Sequence, residues 1–199
     1  IMQGYGTMAN ECADQLRQVG VNRPTHVFVQ AGVGSLAGAV IGYFTNLFPS
    51  DPPKFVVMEA RAADCLYRGA LAGDGAPRIV EGDLQTIMAG LACGEPNTIS
   101  WDILRNHVSA FASCPDWVSA RGMRMLGVPV KGDPVVISGE SGAVGMGLLA
   151  ALMETDVYRD LREALELDRF SQVLMFSTEG NTDPMKFRKV LWDGEYPTV

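Results

Sequence analysis

The 199-residue chain is 47% hydrophobic and 20% charged, and its formal net charge at pH 7 is -7. A chain of this length buries a sizeable core, and we expect residues 1–199 to form a single domain. The acidic balance argues against nucleic acids and anionic membranes as main partners. No apolar stretch approaches the roughly 20 residues of a membrane helix, and the N-terminus lacks a signal-peptide pattern, so we expect a cytoplasmic protein.

The spacing of the cysteines and histidines is not that of a metal site. The chain has four cysteines and two histidines, and no two cysteines form a C-x-x-C pair. We therefore predict no bound metal ion. Free thiols in a reducing compartment are the expectation for Cys12, Cys65, Cys93 and Cys114. Whether Cys65 and Cys93 pair is left open.

Short apolar runs alternate along the chain with segments of helical periodicity, and turn residues separate them. In chain order the sequence predicts helix 8–19, strand 25–30, helix 36–48, strand 54–59, helices 62–71, 101–112 and 116–126, strand 135–137, a helix that ends at residue 153, helix 161–167, strand 173–176 and a helix from residue 184. Thr7 is placed as the N-cap of the first helix. Strands that alternate with helices predict an α/β fold with a mostly parallel sheet and helices on both of its faces.

The most informative segment is the glycine-rich turn 30–38, which follows the apolar run 27–29. A strand that ends in glycines and continues as a helix leaves backbone N–H groups unpaired at the helix N-terminus, where the helix dipole favours anions. The sequence therefore predicts a phosphate site here. Further Gly/Ser-rich turns follow residues 137 and 176. Because ligands bind at the carboxyl ends of parallel strands, we expect the three turns to line one pocket.

Residues 32–37 also fit the G-x-G-x-x-A pattern of a Rossmann dinucleotide-binding module. Glu59 ends the next predicted strand, where an acid would bind ribose. The match is weak, because Glu59 lies 27 residues beyond Gly32 and the usual separation is about 20. The dinucleotide interpretation also leaves the turns at Ser141 and Ser177 without a role. It stays open as an alternative.

Five segments together resemble the fold-type II enzymes that use pyridoxal 5'-phosphate (PLP), the group of the threonine and serine dehydratases. In order they are residues 3–7, 31–36, 88–91, 140–143 and 177–181. They are similar to the family's G-Q-G-T segment, phosphate loop, A-D-G element, E-P-S-G-A turn and S-G-G-N turn. Within this group, nearly the whole chain is most similar to the diaminopropionate ammonia-lyases.

This resemblance implies that PLP is the cofactor and that the substrate is a small amino acid. The intact enzyme would convert 2,3-diaminopropionate to pyruvate and ammonia by α,β-elimination, and it would be a homodimer. A threonine or serine dehydratase and a non-catalytic binding module remain alternatives.

The resemblance also implies roles for single residues. The backbone N–H groups of the phosphate loop would hold the PLP phosphate, and the Ser35 hydroxyl would add a bond. The loop consists of Gly32, Val33, Gly34, Ser35 and Leu36. Gly90 matches the glycine whose backbone passes close to the cofactor ring. Ser177 matches the residue that faces the pyridine nitrogen, or Thr178 takes that role. Glu140 either lines the site or favours the N-terminus of the helix that follows it.

One element of the family does not occur in this sequence. PLP enzymes of this type hold the cofactor as a Schiff base on a lysine, which in this family lies well before the phosphate loop. The chain has only Lys54, Lys131, Lys186 and Lys189, and none of them precedes Gly32. The chain therefore resembles the C-terminal half of the enzyme. The lysine and the proton-abstracting acids are expected upstream of Ile1, and we predict that this fragment alone is inactive.

Overall fold

A computed structural model describes residues 2–198, in which helices and strands alternate. The helices are α1 (Met2–Gln18), α2 (Ser35–Leu47), α3 (Cys65–Ala72), α4 (Thr98–His107), α5 (Asp116–Gly127), α6 (Glu140–Glu154), α7 (Arg159–Ala164) and α8 (Pro184–Leu191). The strands are β1 (His26–Gln30), β2 (Lys54–Ala60), β3 (Val108–Cys114) and β4 (Val173–Met175). Short 3₁₀ helices occupy Arg61–Ala63, Ala89–Leu91 and Asp156–Tyr158.

Within residues 2–198 the strands form one parallel sheet in the order β3-β2-β1-β4. At its centre, Phe28 of β1 is in register with Val56 of β2 on one side and Met175 of β4 on the other. β1 is buried along its whole length, and β2 is buried after its first residue. Such burial is expected for strands that helices cover on both faces. The predicted α/β fold with a mostly parallel sheet is confirmed.

Successive residues of β1 point to opposite faces of the sheet and enter separate hydrophobic clusters. Val27 and Val29 pack with Phe44 of α2 on one face. Phe28 belongs to the cluster on the other face, together with residues of α5, α6 and α8 such as Val144. Helices therefore cover both faces of the sheet, as the sequence predicts.

The helix predicted over residues 101–112 is wrong beyond His107, because β3 begins at the next residue. Trp101, Leu104 and Phe111 keep helical spacing across this boundary, so the local pattern contains no sign of a change in structure. In the fold, β3 instead pairs along the edge of β2 as a parallel strand. Tertiary pairing thus overrides the local periodicity.

The strand predicted at residues 135–137 is also wrong. These residues belong to no strand in the described part of the chain, and Val135 and Ile137 are exposed. Three consecutive β-branched residues favour extended backbone, but a strand also needs a partner. The turn that follows this segment nevertheless reaches the functional region, as the N-terminus of α6.

Helix α1 begins earlier than predicted. It includes residues 4–7, which lie before the predicted helix 8–19, so Thr7 is inside the helix and is not an N-cap. A glycine inside a helix costs only about 1 kcal/mol relative to alanine, which packing can offset. α1 packs along α2 with Ala9 and Ala13 buried, and the hydroxyl of Tyr43 donates a hydrogen bond to Asn10.

Helices α5 and α6 pack with their backbones in contact, and this contact fixes the start of α6. A Cβ on Gly122 of α5 would lie 2.9 Å from the carbonyl carbon of Ala143 and 2.9 Å from the nitrogen of Gly147. Neither atom can move without moving the helix, so only glycine fits. The N-terminus of α6 thereby reaches the same cavity as the carboxyl ends of β1 and β4.

All four cysteines are free thiols. The Sγ atom of Cys65 lies 3.7 Å from the carbonyl oxygen of Cys93. In residues 2–198 no helix is both long and apolar enough to cross a bilayer. Over the same residues, His, Cys, Asp and Glu side chains do not gather in groups of three that could hold a metal ion.

Candidate functional site

A cavity of about 360 Å³ opens at the carboxyl ends of β1 and β4. Parallel sheets bind ligands at this edge, and sites for small molecules typically measure about 300–1,000 Å³. Residues 30 and 32–36 line one side. The other walls come from Tyr5 of α1, from residues 90, 91 and 93, from Ser141 and from residues 178 and 179. Two of the three turns predicted to converge follow strands, and the third is the start of α6.

The predicted phosphate loop forms one end of the cavity, at the N-terminus of α2. Gly34 directly precedes this helix with φ +93°, a conformation that strains any residue with a side chain. No side chain caps the helix. Within residues 2–198, the backbone N–H groups of residues 33–36 donate to no backbone acceptor. Together with the helix dipole, these free donors make the loop ready to bind an anion.

A hydrogen bond from Asn97 leaves the hydroxyl proton of Ser35 free to be donated to a ligand in the cavity. The Oδ1 atom of Asn97 accepts a hydrogen bond from the Ser100 nitrogen at 3.1 Å, which caps α4. Its Nδ2 atom therefore faces the Ser35 Oγ, at 3.1 Å. Because an amide nitrogen only donates, the Ser35 oxygen accepts this bond and its proton stays free for a ligand.

Gln30 creates a matching arrangement at the turn that follows β4. This side chain is buried, and its Nε2 atom donates to the carbonyl oxygen of Phe176 at 2.8 Å and to the Thr178 Oγ1 at 3.0 Å. The carbonyl can only accept, which fixes the orientation of the amide. The Thr178 oxygen therefore accepts as well, and the Thr178 proton is available to an acceptor in the cavity.

The hydroxyl of Ser141 lines the cavity and has no hydrogen-bond partner. Ser141 is 4% exposed, and its Oγ atom is among the buried polar atoms that remain unpaired. A Cβ on Gly90 would lie 3.1 Å from this oxygen, so glycine keeps the space beside the hydroxyl open. An unpaired buried hydroxyl costs about 1–3 kcal/mol. A polar ligand atom next to Ser141 would remove that cost.

Glu179 joins the turn after β4 to the N-terminus of α6. Its Oε1 atom accepts a hydrogen bond from the Ser141 nitrogen at 2.7 Å. Its backbone oxygen accepts another from the Gly139 nitrogen at 3.0 Å. Among the described residues that line the cavity, Glu179 carries the only carboxylate. The remaining polar lining consists of hydroxyls, an amide, a thiol and backbone groups.

The structure brings seven of the nine residues predicted for the site to this cavity: Gly32, Val33, Gly34, Ser35, Leu36, Gly90 and Thr178. Ser177 is exposed and does not line the cavity. Glu140 is the buried first residue of α6, its backbone oxygen accepts a hydrogen bond from Ser119, and it does not line the cavity either. Of Ser177 and Thr178, Thr178 is the residue that lines the cavity.

Sequence reasoning missed six residues of the lining: Tyr5, Gln30, Leu91, Cys93, Ser141 and Glu179. Gln30 and Ser141 lie in turns that the sequence singles out. A polar residue at the last position of a buried strand, or in the first turn of a buried helix, is the signal that could have found them. Tyr5 carries no such signal, because the helix that presents it was predicted to begin after it.

Glu59, the acid of the dinucleotide interpretation, does not face the cavity. It is fully buried, and its two oxygens accept hydrogen bonds from the nitrogens of Leu66 at 2.9 Å and Tyr67 at 2.6 Å. Burial raises the pKa of Glu59 to about 8, which outweighs the lowering by these two bonds. Both oxygens hold the start of α3, so neither is left for a ribose hydroxyl.

Among residues 2–198, no lysine lines the cavity. Lys54 and Lys189 form ion pairs with Glu166 and Glu195 at 3.0 and 3.7 Å, away from the site. The described residues therefore offer a set of hydrogen-bond donors without a side-chain amine. Such a set can bind and orient an anionic ligand, but it cannot attach a carbonyl compound covalently through a lysine.

The family of the pyridoxal-phosphate dependent enzymes matches residues 1–169. The chain belongs to this family. Among curated relatives in the family, the diaminopropionate ammonia-lyase of Escherichia coli K12 is 50% identical over 196 residues, which are 98% of this chain and 48% of that enzyme. The chain thus spans about half the length of the curated relatives that it matches.

Solved structures place the fold in the same family. The Escherichia coli diaminopropionate ammonia-lyase in complex with an aminoacrylate-PLP azomethine reaction intermediate is 48% identical, with a TM-score of 0.87 over 98% of this chain and 49% of that chain. A processed threonine deaminase from Solanum lycopersicum has a TM-score of 0.74 over the whole of this chain and 50% of that chain. At 19% identity, this second likeness shows the fold alone. The fold is that of the fold-type II enzymes.

Proposed function

We propose that this chain forms the cofactor-binding part of a PLP-dependent ammonia-lyase that converts 2,3-diaminopropionate to pyruvate and ammonia. The observation that supports this most directly is a cavity lined both by an uncapped helix N-terminus and by a hydroxyl donor from a second turn. Membership of the PLP family and 50% identity to a diaminopropionate ammonia-lyase support the proposal. The relatives are about twice as long, so the activity is proposed for the full-length protein.

The residues of the cavity fit PLP, which is an anion at one end and an aromatic nitrogen base at the other. The N-terminus of α2 and the Ser35 hydroxyl supply donors for a phosphate. Gly90 leaves room for a flat ring beside it, and the unpaired Ser141 hydroxyl lies next to that space. Thr178 supplies a proton donor suited to an unprotonated ring nitrogen.

In the reaction, this chain binds and orients the cofactor. When bound, PLP supplies the electron sink that makes loss of the α-proton and of the β-amino group possible. The backbone of residues 33–36 would hold the phosphate and fix one end. Thr178 would keep its own proton at the hydroxyl and share it with the ring nitrogen, which leaves that nitrogen neutral. A neutral ring moderates the electron sink and suits elimination.

The remaining functional groups belong to the proposed full-length protein. We propose that a lysine and proton-abstracting acids outside this chain complete the site, because the described part of the chain places no lysine at the cavity. The chain would then be the C-terminal half, inactive by itself, of a cytoplasmic homodimer that acts on a small amino acid. A dinucleotide module is not favoured, because both oxygens of Glu59 are already bound. A threonine or serine dehydratase is not favoured either, because that likeness rests on the fold alone.

The test uses the full-length gene product. We expect a visible absorption band that borohydride reduction abolishes, together with pyruvate release from 2,3-diaminopropionate in preference to serine and threonine. A band with turnover of serine or threonine alone would keep the cofactor and overturn the substrate. A protein without such a band would contradict the proposal as a whole. Pyruvate formation by residues 1–199 alone would refute the division into halves, and light scattering of the full-length protein tests the dimer.

A further inference from the structure

Two helix N-termini face the same cavity, and they differ in one respect. The N-terminus of α2 has no side-chain cap, and the free donors of residues 33–36 line the cavity there. The 15-residue helix α6 presents its own N-terminus through Ser141. At α6, however, the Glu179 carboxylate accepts the Ser141 N–H at 2.7 Å. The cavity therefore has two positions suited to an anion, and the protein's own carboxylate occupies one of them.

The α6 end carries a second, independent sign of a ligand. The Ser141 side chain is 96% buried, its exposed fraction being 4%, and its Oγ atom lacks a partner while it lines the cavity. A hydroxyl can form a hydrogen bond with an uncharged polar atom as well as with an anion. The carboxylate beside it disfavours an anion, since two like charges repel strongly in a partly buried site. The α6 end is thus polar, and it is closed to negative charge.

The backbone around Glu179 is shaped to hold this carboxylate in place. A Cβ on Gly139 would lie 2.6 Å from the Glu179 Cγ and 2.9 Å from its Cδ, so only glycine leaves room for the side chain. The Gly139 nitrogen in turn donates to the Glu179 backbone oxygen. These contacts fix the side chain across the start of α6, so its position at the cavity is part of the fold.

We propose that Glu179 is a positioning residue that reserves the α6 end of the cavity for the uncharged part of the ligand. The phosphate group is then left with a single anion site, at α2, and the ligand binds in one direction only. The inference rests on the proposed function where it takes the ligand to be PLP. The exclusion of an anion from the α6 end does not depend on the identity of the ligand, because the Glu179 carboxylate already occupies that helix N-terminus.

The test compares E179A with wild type in the apo form of the full-length gene product, with inorganic phosphate as the probe in calorimetry. Wild type should bind one phosphate per subunit, and E179A should bind two, because the Ser141 N–H and the start of α6 become free. E163A removes an exposed glutamate from α7 and is the matched control for the loss of one charge. It should bind one phosphate. A folded E179A that binds only one phosphate would overturn the proposal.

E179Q provides the second measurement if E179A does not fold. Its amide oxygen can still accept the Ser141 N–H, but the charge is gone, so inorganic phosphate should bind about 5-fold more tightly than in wild type. An unchanged phosphate affinity would contradict the proposed role.

Pyridoxine 5'-phosphate lacks the aldehyde and cannot attach to a lysine, so it reports the direction in which a ligand of this shape binds. One bound phosphorus resonance is expected in wild type and two in E179A, whereas a single unshifted resonance in both would count against the proposal.

Failure of the proposed function would be seen elsewhere. A wild-type protein without a PLP absorption band would remove the proposed activity, while the phosphate stoichiometries of wild type and E179A would still test Glu179. A normal band combined with one phosphate in E179A would instead leave the activity in place and remove the role of Glu179.

Discussion

The contact between α5 and α6 makes a strong prediction about Gly147→Ala. A Cβ on Gly147 would overlap the carbonyl oxygen of Val118 and lie 2.7 Å from the carbonyl carbon of the same residue. Ordinary contacts of a Cβ lie at 3.4–4 Å. Relief of the contact with the carbon alone would require the helices to separate by the difference between 2.7 and 3.4 Å, and relief of the overlap with the oxygen would require more.

The size of the effect follows from two opposing contributions. Alanine is favoured over glycine in a helix interior by about 1 kcal/mol. Overpacking of a well-packed contact typically costs about 1–3 kcal/mol, and a backbone clash lies at or above the top of that range. We therefore expect Gly147→Ala to lower the free energy of unfolding by about 2 kcal/mol.

The matched control is Gly42→Ala, in the interior of α2. A Cβ there would meet only the Cδ1 atom of Ile103 at 3.9 Å, which is an ordinary contact. This variant should gain about 0.5–1 kcal/mol from helix propensity alone. Both variants are compared with wild type by thermal unfolding of the full-length apoprotein, followed by circular dichroism. If Gly147→Ala proves as stable as Gly42→Ala, the backbone contact between α5 and α6 is not as described.

Three further predictions concern single side chains. Ser35→Ala removes a donor to a charged group and should weaken PLP binding about 10-fold, measured by titration of the apoprotein. The pKa of Glu59 is about 8 in the fold, above its unfolded value, so its stabilisation is complete below about pH 4 and is lost as the pH rises through 8. Glu59→Gln should reduce this loss of stability with rising pH, which amounts to at most about 5 kcal/mol in the free energy of unfolding. Burial raises the pKa of Cys114 to about 12, so iodoacetamide at pH 8 should leave it unmodified in the native protein.

Each of these predictions has its own control. Unchanged PLP affinity in Ser35→Ala would show that its hydroxyl does not reach the phosphate. Ser109→Ala, at an exposed position of β3, should behave as wild type. Wild-type stability that rises between pH 5 and pH 8 with the same slope in Glu59→Gln would refute the assignment of Glu59. Cys93 lines the cavity and serves as the reference thiol: we expect it to be alkylated in the apoprotein and protected by PLP. Alkylation of native Cys114 before Cys93 would contradict its burial.

Much of the fold could be predicted because, in its central elements, the local sequence pattern and the tertiary packing favour the same structure. β1, β2 and β4 are short apolar runs between turn residues, and α2 and α8 begin where glycine and Asp183 indicate. β3 could not be predicted, because Val108 and Phe111 continue the spacing of the helix before it. The strand predicted at residues 135–137 is wrong for the opposite reason. Their composition favours a strand, and only the arrangement of the whole sheet decides that no partner lies beside them.

The candidate site divides in the same way. The position of residues 32–36 at the cavity could be predicted, because glycines between a strand and a helix place a helix N-terminus at the carboxyl end of the strand. The roles of Ser141 and Glu179 could not, since they depend on α6 pointing at the end of β1. That orientation follows from the glycine contacts of α6 with α5, which involve residues far from the site in sequence. The choice between Ser177 and Thr178 likewise needed the position of the Gln30 amide.

Gln30 also ties the phosphate loop to the turn after β4. It is the last residue of β1, the phosphate loop begins directly after it, and its amide holds the turn after β4. The interval between the two ends of the cavity is therefore set by adjacent, hydrogen-bonded strands, and the loops contribute little to it. Substitution of Gln30 by a residue without an amide would release the turn after β4 from β1, so the phosphate loop and Thr178 would no longer be held at a fixed separation.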